Sequence, residues 1–528
     1  MSLPTHPQVG IDAHTSPAPI VAAPSGVALL VGPTATGPVH AAPLVFRTWA
    51  ELVATFGDAT PLHFEGEREP GTNHTLLAAR LFFQNGGTTL GVVRTARGAT
   101  AAVAALGDPA APACLVHART PGAVAHRVVF TIHDDGADVP RMHVQVERRD
   151  ALARWTPRGS WGPVPIAVGD PAAFPDCFAT DAGATTDDMR AAPLVVRSSH
   201  AETTALLDAL AAAGGRTRST LDGLAFAVEL TNGRDGARPT EHELRAALQA
   251  VPADTGVELV LAPFASVAPP GETDAESLAR TVQMQRVVQS HLDGAPHRFA
   301  LLDAMRTADG ALLRAQRDAI ACPGIALYQP WLRVRDDTGT IVDTPPCGAV
   351  AGAFARTDAA EGIWMAPTLH PLVGIDALAE PAPPRTDEGL GRVGVNALRH
   401  FDGRGVMIWG VRTLAIDSDS RYITVRRLVN HLMRSMATSL RWVAFEVNDA
   451  ALWSTVQRLV EDFLHARWRA GAFAGQTPHQ AYVVRCGLGS SMSQGDVDAG
   501  RLRVIVGVAP LKPTEFVAIR IELRTAKS

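Results

Sequence analysis

Lysine is almost missing from this chain: among 528 residues the only two are Lys512 and Lys527. A nucleotide-binding P-loop needs a lysine behind its glycines to reach the phosphates, so that class is excluded. Cysteine is scarce as well. Cys114, Cys177, Cys322, Cys347 and Cys486 are odd in number, far apart and never in a CxxC pair, which signals neither a disulfide framework nor a zinc site and fits a reducing cytoplasm. No stretch reaches the roughly 18 uninterrupted apolar residues that a membrane span requires. The start, "MSLPTHPQVGIDAHTSPAPIVAAPSG", has no basic n-region, and Pro19 and Pro24 break its apolar stretch, so it is read as an extended arm rather than a signal peptide. The nucleophile elbow GxSxG, the zincin HExxH and the dinucleotide GxGxxG are also absent, and "CGLGSSM" has Met492 where the third glycine would stand. A net charge of -5 with pI near 6.4 gives no global pull toward nucleic acid or anionic lipid.

What is present is an ordered globular composition, 46% hydrophobic and 19% charged. At about 100–200 residues per domain, the length predicts two to four units. "GVALLVG" reads as a buried strand. "TWAELVATFG" and "NHTLLAARLFFQNGG" carry apolar residues at helical spacing and run into Gly57 and Gly86, and "TLGVVRT" follows as a strand. Over residues 98–215 the pattern turns to short alternating runs such as "HRVVFTIHDDG" and "RMHVQVERRD", where Val144 and Val146 alternate with Gln145 and Glu147; this predicts a β-rich insertion. From Gly223 the strands "LAFAVEL", "VELVLAPF" and "RFALLDA" alternate with helices "EHELRAALQAV" and "AESLARTVQMQRVVQSHL", the mark of a parallel sheet covered by helices. "GRGVMIWGVRTL" is apolar enough for a central strand.

Two amphipathic helices follow. In "RYITVRRLVNHLMRSMATSLRW" the stripe is Val425, Leu428, Val429, Leu432, Met436 and Leu440, with Arg427, Arg434 and Arg441 elsewhere; in "NDAALWSTVQRLVEDFLHARWRAG" it is Leu452, Val456, Leu459, Val460 and Phe463, with Asn448 or Asp449 as cap and Gly471 as stop. The chain closes with strand "AYVVRC", a Gly/Ser/Asp-rich turn over Ser490–Gly500, strand "RLRVIVGV" and a last alternating strand. The turn does not read as a calcium loop, because an EF-hand beginning at Asp496 would need a carboxylate where Gly507 stands. "HDDG" at His133–Gly136 reads as a hairpin turn rather than a metal site. Neither catalytic residue, metal nor cofactor is indicated.

The C-terminal "GSSMSQGDVDAGRLRVIVGVAPLKPTEFVAIRIE" resembles the contractile tail sheath proteins of phages and of phage-tail-like contractile injection systems, and "FEVNDAALW", "RWRAGAFAG", "RYITVRRL", "PPCGAVAGAFARTDAAEGIWMAP" and "ARLFFQNGGTTLGVVR" support the likeness. The chain departs from that family in lacking the "PGVY" arm and in having Met365 after the tryptophan of GxW. The resemblance implies an α/β and α+β multidomain chain: an arm at 1–24, a discontinuous subtilisin-like α/β core at 25–97 plus 216–412, the outward-facing insertion, a C-terminal α+β domain at 413–508 and a terminal arm or strand at 509–528. It implies a subunit that polymerises into a helical contractile sleeve around an inner tube and ejects the tube on contraction. Its partners would be copies of itself, the tube protein, baseplate and terminator or cap proteins, with no direct nucleic-acid contact. Assembly would occur in the bacterial cytoplasm and residence would be in the particle. Phe516, Val517, Ile519, Ile521 and Leu523 would form a strand exchanged between subunits; Arg427, Arg434, Arg458, Arg467 and Arg469 would face the tube; Gly489, Gln494, Asp496, Asp498 and Gly500 would shape the turn. Two alternatives remain: a hydrolase on the α/β core, and a static shell or tube protein with only one lattice.

Overall fold

The computed structural model describes residues 18–134, 139–178, 193–368, 370–380, 389–417, 419–511 and 517–524. The chain divides into two compact units, Ser25–Arg426, and Arg427–Ser528 together with the residues up to Pro24. The division falls inside the helix Ile423–Ser439.

The larger unit is organised by an eight-stranded sheet in the order Gly405–Ile408, Val395–Phe401, Ile325–Gln329, Phe299–Asp303, Leu259–Leu261, Ala28–Gly32, Leu90–Arg94 and Leu44–Phe46. The inner strands are parallel and the two edge strands antiparallel. Helices cover both faces, so strands such as Ala28–Gly32 and Phe299–Asp303 are buried along their whole length and read as continuous apolar runs. Because side chains alternate across a strand, Ala28 and Leu30 join one hydrophobic cluster while Leu29 and Val31 join the other.

The sequence "PPCGAVAGAFARTD" becomes the helix Cys347–Ala360, which lies against the helix His74–Gln84. A Cβ on Gly348 would sit 2.1 Å from the Ala78 carbonyl oxygen, and one on Gly352 would sit 2.3 Å from that of Phe82. Only glycine permits this backbone approach.

The β-rich region holds a five-stranded sheet in the order Ala225–Leu230, His126–His133, Arg141–Arg149, Trp155–Ala167 and Phe174–Pro175, and a three-stranded sheet in the order Leu194–Ser198, Ala111–Ala118, Val103–Asp108. Together they enclose a third core. "LAFAVEL" belongs here and not to the parallel sheet: it pairs antiparallel with His126–His133. Its alternation explains why, since Val228 and Leu230 are buried while Ala227 and Glu229 are exposed. The turn residues after Asp134 lie outside the described residues, and the strands on either side pair with each other.

"GRGVMIWGVRTL" also differs from expectation. Its strand, Gly405–Ile408, is the edge of the central sheet and not an interior strand. Val406, Met407 and Ile408 are buried nonetheless, so the apolar run reports two covered faces rather than two strand neighbours.

Candidate assembly interface in the terminal unit

The smaller unit is built on the antiparallel sheet Tyr482–Cys486, Arg501–Val508, Val517–Arg524, in that order. In the central strand Leu502, Val504, Val506 and Val508 are fully buried, and Arg501 and Arg503 point the other way, the pattern of a sheet with one covered face. The helix Ala450–Arg469 packs on Tyr482–Cys486 through Leu452, Val456, Leu459, Val460, Phe463 and Leu464. Asp449 caps it, accepting from the Leu452 amide at 2.8 Å. Asn448 serves elsewhere: its side-chain oxygen accepts from the Trp453 indole at 2.7 Å.

The turn between the first two strands contains a short helix, Gln494–Asp498, with Ser493 as its cap. Asp496 is the hub. Its carboxylate accepts from the Ser493 amide at 3.1 Å and the Ser493 hydroxyl at 2.8 Å, and it meets Arg501 at 3.0 Å and Arg503 at 3.1 Å. The Ser493 amide first, then its hydroxyl and the two guanidinium groups, hold the carboxyl down to about 2. Arg503 also reaches Glu522, its cross-strand partner, at 3.2 Å. Ser491 donates to the Arg503 carbonyl at 2.6 Å, so turn, central strand and last strand are tied in sequence. Gln494 donates to Asp498 at 2.8 Å. Gly489 and Gly500 have φ of 76° and 65°, a left-handed backbone that a side chain disfavours.

The predicted turn residues Gln494, Asp496, Asp498 and Gly500 are thus gathered in one motif. Ser493, Arg501, Arg503 and Glu522 were missed by sequence reasoning. The Ser-x-x-Asp spacing of Ser493 and Asp496 was the available signal, since it is that of a capping box.

The last strand pairs with Arg501–Val508 of its own chain over eight residues, from Arg501↔Arg524 to Val508↔Val517. Val517, Ile519, Ile521 and Leu523 lie opposite Val508, Val506, Val504 and Leu502; Phe516 lies outside the described residues.

The five arginines read as tube-facing do not form one surface. Arg427 is fully buried and leaves that set, because a helical residue between Thr424 and Leu428 sits at the margin of a wide buried stripe. Arg434 donates to the Pro24 carbonyl. Arg467 lies over the Phe463 ring at 5.5 Å. Arg458 and Arg469 are exposed, and eleven residues of helix return to nearly the same face, about 16 Å further along. The exposed Asp462 stands between them, so the face is mixed rather than purely basic.

The buried polar groups of the central sheet offer no exposed chemistry. Asp303 is pushed up to about 7 by burial and accepts from the Cys347 amide at 2.7 Å. Burial, with Asp303 beside it, drives the Cys347 thiol far above its ordinary value. Burial likewise holds His74 down to about 3, and it shares a 3.2 Å hydrogen bond with Thr344. A groove of about 470 Å³ on the helices Glu241–Gln249 and Asp274–Gly294 is lined by Glu241, Arg245, Gln283 and Arg286, a set without a hydroxyl or thiol. No group of three or more metal-ligating side chains is found among the described residues, and none of their helices is long and apolar enough to cross a membrane.

Residues 416–524 match the family of the phage tail sheath C-terminal domain. The tail sheath protein of Vibrio phage KVP40 is 29% identical over 125 residues, 23% of this chain and 18% of that protein. A putative prophage major tail sheath protein of Pseudomonas aeruginosa is 24% identical over 193 residues, 35% of this chain and 49% of that protein. The matched stretches span less than half the length of these relatives. Among solved structures, the anti-feeding prophage helical sheath in its contracted state aligns with a TM-score of 0.53 at 19% identity, covering 99% of both chains. The sheath tail protein of Listeria innocua aligns at 0.61 and 12% identity, covering 95% of this chain and 96% of its own. The shared feature is the mixed α/β fold with several sheets.

Proposed function

We infer that this chain, a relative of tail sheath proteins with a phage tail sheath C-terminal domain at residues 416–524, is the sheath subunit of a contractile particle, polymerising around an inner tube and driving it out on contraction. The observation that carries this reading is the terminal sheet, which lies within the matched stretch and whose outermost strand, Val517–Arg524, has a neighbour on one side only among the described residues. An edge strand presents unpaired main-chain groups. A strand in that position can exchange its ladder within the chain for the same ladder on a neighbour, because main-chain hydrogen bonds are conserved and alternating side chains keep the register. Such an exchange is heterologous and does not close on itself, which is what a helical sleeve requires. The other partners in this reading are the tube, baseplate and cap proteins, and the β-rich region lies outward. Arg458 and Arg469 are the arginines left for the tube, and reversing both charges should weaken tube co-purification. The hydrolase alternative calls for a clustered nucleophile and base, which no motif in the sequence supplies.

The test is to express the protein with the tube protein of its particle and image the product by electron microscopy, full-length and truncated before Pro513. Sleeves that vanish on truncation are expected. A second, shorter and wider lattice after triggering separates a contractile sheath from a static shell; soluble monomers throughout would overturn the assignment.

A further inference from the structure

The segment from Ala18 to Pro24 has no regular secondary structure, yet it is held along the helix Ile423–Ser439 by its main chain. The Val21 amide donates to the Ser439 hydroxyl at 3.1 Å, and that hydroxyl faces the Val21 carbonyl at 3.5 Å. The Ala23 amide donates to the Ser435 hydroxyl at 2.9 Å, which in turn donates to the His431 carbonyl at 2.7 Å. Arg434 donates to the Pro24 carbonyl. Residues 21, 23 and 24 thus meet 439, 435 and 434, so segment and helix run antiparallel.

The two repeats match. Hydroxyls four residues apart on a helix are separated by about 6 Å along its axis, and amides two residues apart in an extended chain by about 6.6 Å. A pair of serines at i and i+4 therefore reads alternate amides of an extended strand. Pro19 and Pro24 favour that extended form. Recognition is of backbone, since the Val21 side chain is 70% exposed while Ile20 supplies the buried apolar contact at 8%.

We propose that Arg434, Ser435 and Ser439 form an anchorage for the N-terminal arm. It fixes the point from which the arm leaves on the unit that also carries the terminal strand, so that a pull on the arm is taken up by this helix. The first strand of the central sheet, which begins only four residues later at Ala28, is then shielded from that load. The load-bearing role rests on the sheath reading; the anchorage does not.

Hydrogen exchange on the full-length chain tests the anchorage. Ser435→Ala with Ser439→Ala should lower protection of the Val21 and Ala23 amides roughly tenfold, as loss of a hydrogen bond to each would, and leave the Arg501–Val508 ladder protected. Ala23→Pro, which removes one donor without touching the helix, should expose Val21 likewise, whereas Val21→Ser should change nothing. Unchanged protection in both the serine and the proline variants overturns the anchorage. Where the native chain forms sleeves, the serine variant should form shorter or broken ones; intact sleeves from a variant that has lost protection overturn the load-bearing role. Absence of sleeves from the native chain itself would be a failure of the sheath reading, visible in that control, and exchange would still decide the anchorage.

Discussion

Asp303 in the central sheet and Asp496 in the terminal turn are both hidden from solvent, at 1% and 5% exposure, and their surroundings drive them in opposite directions. Asp303 ends a parallel strand among apolar side chains, with the amide and the thiol of Cys347 as its donors, and burial still dominates, so the acid form is favoured. Asp496 sits where the backbone amide of Ser493, its hydroxyl and two arginines converge, so the charged form is favoured. The central sheet is closed by packing on both faces and accepts a proton to keep a charge out. The terminal sheet ends at Val517–Arg524 with no further strand beyond it among the described residues, and it joins its pieces with charge.

The largest way to break that comparison is to cut into the packed core. Leu301→Ala removes a fully buried side chain and should cost about 2–5 kcal/mol, read as a lower denaturation midpoint for the unit Ser25–Arg426. Next in size is Gly500→Ala, which forces a side chain into φ of 65° and should cost the terminal unit about 1–2 kcal/mol, measured by its melting transition.

Titration sharpens the contrast further. Asp496 has a folded value of about 2 against an ordinary 3.8; its contribution is therefore complete above pH about 4 and lost as pH falls from about 4 toward 2. Asp303 has a folded value of about 7, so the folded state holds a proton that the unfolded state releases, and this unit loses stability as pH rises from about 4 to 7. Melting temperature followed against pH should show both slopes, Asp496→Asn flattening the acid one and Asp303→Asn the neutral one. The smallest effect belongs to Glu522→Gln: its pair with Arg503 is largely exposed and should be worth at most about 1 kcal/mol in a double-mutant cycle with Arg503→Ala.

Much of this was legible in the sequence. "GVALLVG" and "TLGVVRT" are adjacent parallel strands, because strands buried on both faces read as unbroken apolar runs. The two late helical stripes are buried in full, because a period of 3.6 survives any tertiary context. What escaped was whatever depends on neighbours. Periodicity places Arg427 off the stripe but cannot tell how wide the buried sector is. An apolar run such as Val406–Met407–Ile408 does not count strand partners. Nothing in the helical pattern marks Ser435 and Ser439 as partners of an extended segment more than 400 positions away in sequence.

The scarcity of lysine has a practical consequence at the terminal strand. Lys512 and Lys527 stand on either side of Val517–Arg524 and no other side-chain amine exists in the chain. An amine-reactive cross-linker therefore has only these two side-chain targets, both flanking the strand whose partner is in question. A lysine-to-lysine bridge between two copies would show that the flanks of this strand in one copy come within a linker's reach of those in another.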